Sequence, residues 1–95
     1  MNSYILTDEA GADLLDTYRA RIAALDFVRL CDEEAERART IHADAIASAR
    51  IEGAEMTPQD AAFCELLLEM RVPYNVAMPM VADYSRDVLA ALNRA

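Results

Sequence analysis

Lysine and tryptophan are missing from this 95-residue chain, and the scarce residues are two Gly, three Pro, one His and two Cys. Each shortage excludes something. With nine Arg and no Lys against seventeen carboxylates, the formal net charge is −8 and the pI about 4.4. Phosphate-backbone binding needs a cationic surface that releases counterions, so no nucleic-acid partner is expected. The same charge steers the chain toward a basic partner protein. No apolar run approaches the roughly 18 residues of a bilayer span, so no membrane partner is expected either. The opening residues, MNSYILTDEA, lack the basic region and apolar core of a signal peptide. Cys31 and Cys64 are too few and too far apart for a disulfide framework or a zinc site. They read as reduced thiols of a cytoplasmic protein. Nothing in the pattern implies a metal or a cofactor.

What is present is alanine. Nineteen Ala and ten Leu dominate, and Ala supplies more than a third of the 55% apolar total while burying little area per residue. Such a chain is helical and thin-cored, and a single domain of this size is a candidate for completion by a partner. Thr7-Asp8-Glu9 makes a helix start, with a capping hydroxyl and two acids at the positive end of the dipole. Leu15, Tyr18, Ile22 and Leu25 follow as an apolar stripe, widened by Leu14 and Val28. From Ala12 to Glu52 there is neither Gly nor Pro, yet the stripe fades after Leu30 where Asp32, Glu33 and Glu34 begin. Two helices are therefore expected, the second over about 33–52, with an apolar line of Ala38, Ile41, Ala45 and Ala49 beside Ile46. Gly53 supplies its C′ residue.

Thr57-Pro58-Gln59-Asp60 is the clearest helix start, a capping Thr followed by Pro in the first turn. The helix it opens carries Ala62, Phe63, Leu66, Leu67 and Met70 and ends before Pro73. A last helix is expected from near Pro79, presenting Met80, Val81, Tyr84, Val88 and Leu92, with RVPYNVAMP as the connecting turn. The expectation is an all-α bundle of three to four helices in one domain, 1–95, the helix ending near Gly53 being followed by two shorter ones.

Three features invite a chemical reading. His42, beside Ile46, has no nearby nucleophile or base and reads as filler. Met56, Met70, Met78 and Met80 lack His or Cys at ligand spacing and read as core filler too. The segment Ser48-Ala49-Arg50-Ile51-Glu52-Gly53 is different. Ser48 and Glu52 lie one helical turn apart on one face. Glu52 continues the Ala38-Ile41-Ala45 line, placing a carboxylate where an apolar edge should run. It also stands in the last turn, where the helix dipole disfavours negative charge by roughly several tenths of a kcal/mol. Broken local rules point to function. A carboxylate docked with an apolar face requires a counter-charge, best met by an arginine that engages both oxygens.

These residues resemble a known arrangement. Ser48-x-x-x-Glu52-Gly53 is similar to the inhibitory motif, Ser/Thr-x-x-x-Glu-Gly/Asn, that controls Fic-domain AMP-transferases. The stretch from Ala45 to Gly53, followed by an acidic turn bearing Thr57 and Pro58 and then another helix, resembles the VbhA-type antitoxins. The resemblance covers about residues 36–91. This chain is too short for a Fic domain and has no His-x-Phe-x-Asp/Glu-Gly-Asn-Gly-Arg signature, so it resembles the arrangement in which inhibitor and toxin are separate bacterial polypeptides. Residues 1–32 have no counterpart in the family and are set apart as an N-terminal helical extension of the 33–95 antitoxin region.

The resemblance implies a non-enzymatic, cytoplasmic partner of a Fic-domain toxin, in a heterodimer or higher assembly. It implies that Glu52 pairs with the toxin arginine that would hold the ATP γ-phosphate, that Ser48 braces Glu52 by hydrogen bonding, and that Gly53 ends the helix without an obstructing Cβ. Ile41, Ala45, Ile46, Ala49, Arg50 and Ile51 become the candidate toxin contacts. The competing expectation is a helical adaptor or secretion chaperone for a Fic effector or another partner protein, in which the N-terminal stripe dominates binding.

Overall fold

A computed structural model of the chain describes residues 8–94, which form four α-helices. These are α1 (Asp8–Ala24), α2 (Asp32–Ile51), α3 (Pro58–Glu69) and α4 (Tyr74–Arg94). The expected Thr7 cap lies outside the described residues. The fold is all-α, a small bundle with extents of 43 × 36 × 19 Å, about two helix diameters at its thinnest.

The core belongs to three of the four helices. Tyr18 and Ile22 of α1 meet Phe63, Leu66 and Leu67 of α3 and Met80, Tyr84 and Val88 of α4, with Val72 closing the α3–α4 turn. Tyr18 stands edge-on to Phe63 and to Tyr84, at 5.3 and 5.4 Å between ring centres, while Phe63 and Tyr84 stack at 4.1 Å. Each such pair is worth about 0.5–1.5 kcal/mol beyond the area it buries. The phenol oxygens keep partners: Tyr84 donates to the Gln59 carbonyl at 3.0 Å and Tyr18 to Asp87 at 2.5 Å. In this way six aromatic residues suffice, because three of them converge.

Residues 1–32, set apart on sequence, include one wall of this core rather than an appendage, since Tyr18 and Ile22 are almost wholly buried. The stripe ends earlier than expected. Because α1 stops at Ala24, Leu25 is 43% exposed and Val28 88% exposed; both are out of phase with the helix. The break before Asp32 is where expected, and the Cys31 N–H is taken up by the Glu34 carboxylate at 3.0 Å.

Helix α4 corrects two expectations. It begins at Tyr74, not near Pro79, so the connecting turn is only Met70 to Pro73 and α4, at 21 residues, is longer than α2 at 20. The Pro73 carbonyl receives the Val76 and Ala77 N–H groups at 3.0 and 2.9 Å. Pro79 cannot donate to the carbonyl of Asn75, but Asn75 is exposed and water can serve it. Val76, Met80, Tyr84 and Val88, every fourth residue, carry the apolar face through the proline.

Helices α2 and α3 stop in the same way. After α2, Ala54 N–H bonds to Ala49 C=O (2.8 Å) and Gly53 N–H to Arg50 C=O (3.0 Å), with Gly53 at φ 82°. After α3, Val72 N–H bonds to Leu67 C=O and Arg71 N–H to Leu68 C=O, both at 3.1 Å, with Arg71 at φ 57°. Both are Schellman ends. The second uses arginine where glycine is the unstrained choice, and the left-handed conformation costs such a residue about 1–2 kcal/mol.

Candidate functional site

Helix α2 contributes no buried residue. Its half-buried line is Ala35, Ala38, His42, Ile46 and Ala49, spaced three, four, four and three apart. This differs from the expected line of Ala38, Ile41, Ala45 and Ala49. Alanine is tolerated on either side, and contact with α3, absent from sequence arithmetic, turns the helix so that His42 and Ile46 point inward. Arg39 reaches Glu65 of α3 at 2.8 Å and fixes that rotation from the flank.

The residues displaced from the inward line form an exposed flank. Ile41 (62% exposed), Ala45, Ser48 and Glu52 follow at four, three and four residues, one above another on the helix surface. Ile51, 87% exposed, stands at the same end but on another side of the helix. Glu52 is the C-cap, its N–H directed at the Ser48 and Ala49 carbonyls at 3.3 and 3.1 Å. Among the described residues no hydrogen bond joins the Ser48 hydroxyl to the Glu52 carboxylate; the two residues are linked through the backbone. Neither Glu52 nor Arg50 forms an ion pair among the described residues, while seven ion pairs use other arginines. A chain with seventeen carboxylates and nine arginines thus has, among the described residues, one of each outside any ion pair at the tip of one helix.

Ile46, Ala49 and Arg50 of α2 line one side of a shallow cleft of about 150 Å³, with Ala54, Glu55 and Met56 of the following loop on the other. Three toxin-contact candidates, Ile46, Ala49 and Arg50, therefore share this cleft, whereas Ile41 and Ala45 lie on the open flank. Sequence reasoning passed over Glu55 and Met56 as cleft residues, and only the reversal of the chain after Gly53 brings them there. Gly53 has no heavy atom within 4 Å of where a Cβ would stand, so what requires glycine in this fold is the left-handed turn at φ 82°.

Met56, Met70, Met78 and Met80 do not gather into a ligand set. Met80 is in the core, Met70 packs against it, and Met56 and Met78 are exposed. Cys31 is exposed and Cys64 half-buried, and burial pushes the Cys64 thiol up. Among the described residues no group of three or more His, Cys, Asp or Glu is arranged to hold a metal ion, and no helix is long and apolar enough to cross a membrane. Compared with known protein families, with curated proteins and with solved structures, the chain matches none.

Proposed function

We propose that this chain is a cytoplasmic, non-enzymatic antitoxin that binds a Fic-domain AMP-transferase and silences it with the Glu52 carboxylate. The observation that carries the reading is the state of Glu52: exposed, without an ion-pair partner among the described residues, at the end of the exposed flank Ile41-Ala45-Ser48. A partner lying along this flank meets an apolar and small surface first and a carboxylate last. A toxin arginine at that point would bind both carboxylate oxygens and no longer be available to the γ-phosphate of ATP. Displacing the reacting phosphate by about 1 Å lowers a rate on the order of 100-fold, so one side chain is enough. Ser48 lies one turn back, where its hydroxyl can brace Glu52 once the carboxylate is docked. Gly53 keeps the tip free of a Cβ.

The test is co-expression of this chain with a Fic-domain toxin, followed by labelling of target proteins with AMP. The wild-type complex is expected to leave targets unmodified, and Glu52→Gly to remain bound while labelling returns. Equal labelling with both forms rejects the mechanism. The adaptor or secretion-chaperone reading draws on the same exposed flank but has no use for the carboxylate. Binding and activity indifferent to Glu52→Gly would favour it. Deletion of residues 1–32 does not separate the readings, because it removes Tyr18 and Ile22 from the core.

A further inference from the structure

Helix α2 and the bundle are held together by different forces. The bundle of α1, α3 and α4 is closed by nine buried apolar side chains, none of them from α2. What ties the start of α2 down is a clasp between two loops. Leu30 N–H donates to the Arg71 carbonyl at 2.9 Å. The Arg71 guanidinium reaches Asp32 at 2.6 Å and the Leu30 carbonyl at 3.4 Å, and Arg29 donates to the Met70 carbonyl. Farther along, Arg39–Glu65 is the ion pair from α2 to α3. The side chains of these ion pairs are between 42% (Arg71) and 94% (Asp32) exposed, so salt screens them as it cannot screen the core.

We infer that α2 is a separately opening strut, clasped to the bundle at Arg71 by charge and loop hydrogen bonds, whose release is salt-dependent and precedes unfolding of α1, α3 and α4. In proteins most helical stability comes from tertiary packing of one face, and none of the 20 residues of α2 is buried. Once α2 lifts from α3 its amides open to solvent, a local event below the global transition. The inference concerns α2 itself and holds whichever partner its exposed flank meets.

Arg71 provides a clean test because its backbone and side chain act in opposite directions. Glycine at φ 57° is unstrained, so Arg71→Gly removes the guanidinium while preserving the turn. The experiment is native-state amide hydrogen exchange on the full chain at about 10 mM and about 1 M salt, where screening lengths are about 30 and 3 Å. In the wild type, amides of 35–51 are expected to exchange at least about tenfold faster than the slowest amides of α1, α3 and α4. High salt should speed α2 exchange about 2–5-fold, with no comparable change in the core. Arg71→Gly should speed α2 by a similar factor and reduce its salt response, while core protection holds or rises. Asp32→Asn, which leaves Arg71 in place, should also loosen α2 alone. Equal protection of all four helices, or α2 exchange indifferent to both variants and to salt, would overturn the inference. So would an equal loss of protection across the whole chain in Arg71→Gly.

Discussion

The Tyr18 hydroxyl donates to Asp87 at 2.5 Å, joining α1 to α4 at the margin of the aromatic cluster. Burial, then this hydrogen bond and the Asp87 charge, push the Tyr18 phenol from 10.0 up to about 12. Burial, reinforced by Asp60, pushes Tyr84 from 10.0 to about 12 as well. Both phenols favour the neutral form more in the folded than in the unfolded chain. Their contribution to stability is therefore complete below pH 10 and is lost as pH rises from 10 toward 12. An ultraviolet titration of phenolate should show a late phase that coincides with loss of helicity. The double variant Tyr18→Phe, Tyr84→Phe should lack that phase; a late phase that survives in it would refute the assignment.

The two glycines should respond oppositely to the same substitution. Gly11 lies inside α1, with no heavy atom within 4 Å of a built Cβ, so Gly11→Ala gains helix propensity without a clash. Stabilisation of about 0.5–1 kcal/mol is expected. The space at Gly53 is equally open, yet φ is +82° there, so Gly53→Ala strains the backbone and should destabilise the end of α2 by about 1 kcal/mol. Thermal unfolding of Gly11→Ala reports the first effect. The second should appear mainly in exchange of the last α2 amides, because α2 lies outside the core.

Acid should act through two pinned carboxylates. The Arg21 guanidinium, 2.7 Å away, holds Asp83 below the usual carboxylate range, and the Cys31 N–H does the same for Glu34. A lowered folded-state value means that stability is present above the unfolded value and declines as pH falls through the folded one. Stability should therefore fall below about pH 4, the region of ordinary Asp and Glu values. Asp83→Asn should flatten the part of that decline that is felt by α1 and α4. An unchanged acid limb would show that the Arg21–Asp83 pair is inert.

Much of this fold is readable wherever the signal is local. Thr57 caps α3 by accepting the Asp60 N–H at 3.3 Å, Pro58 opens the helix, and Gly53 ends α2 in the left-handed conformation, as their residue types require. Tyr18, Ile22, Phe63, Leu66, Leu67, Met80, Tyr84 and Val88 stand in the core because strong periodicity needs no knowledge of neighbours. The facing of α2 is a different matter. Alanine at 35, 38, 45 and 49 suits two adjacent lines equally, and contact with α3 decides between them. The start of α4 is hidden because Pro79 is a strong breaker, overridden by apolar packing of Val76 and Ala77 ahead of it. Arg71 gives almost no signal, since nothing in its own chemistry announces a left-handed residue; only Val72-Pro73 after it hints at a helix end. The position of Glu52 at the tip follows from Gly53. Its exposure depends on the orientation of α2.

Two kinds of hydrophobic residue should separate sharply under substitution. Phe63, 2% exposed and in contact with both core tyrosines, should lose about 3–5 kcal/mol on truncation to Ala. For a small domain that approaches the whole margin of stability, so Phe63→Ala should be unfolded or molten by circular dichroism and amide dispersion. Ile41, at 62% exposure, contributes little to the fold, and Ile41→Ser should shift stability by no more than about 0.5 kcal/mol. It shares the exposed flank with Ala45, Ser48 and Glu52, so under the proposed antitoxin function its loss should weaken toxin binding without restoring the toxin's chemistry in the complex that still forms. Glu52→Gly should do the reverse, restoring chemistry with binding retained. Measuring affinity and AMP transfer for both variants beside thermal unfolding assigns anchoring to the isoleucine and inhibition to the carboxylate. An Ile41→Ser chain that binds as tightly as wild type would mean that the partner approaches α2 from another side.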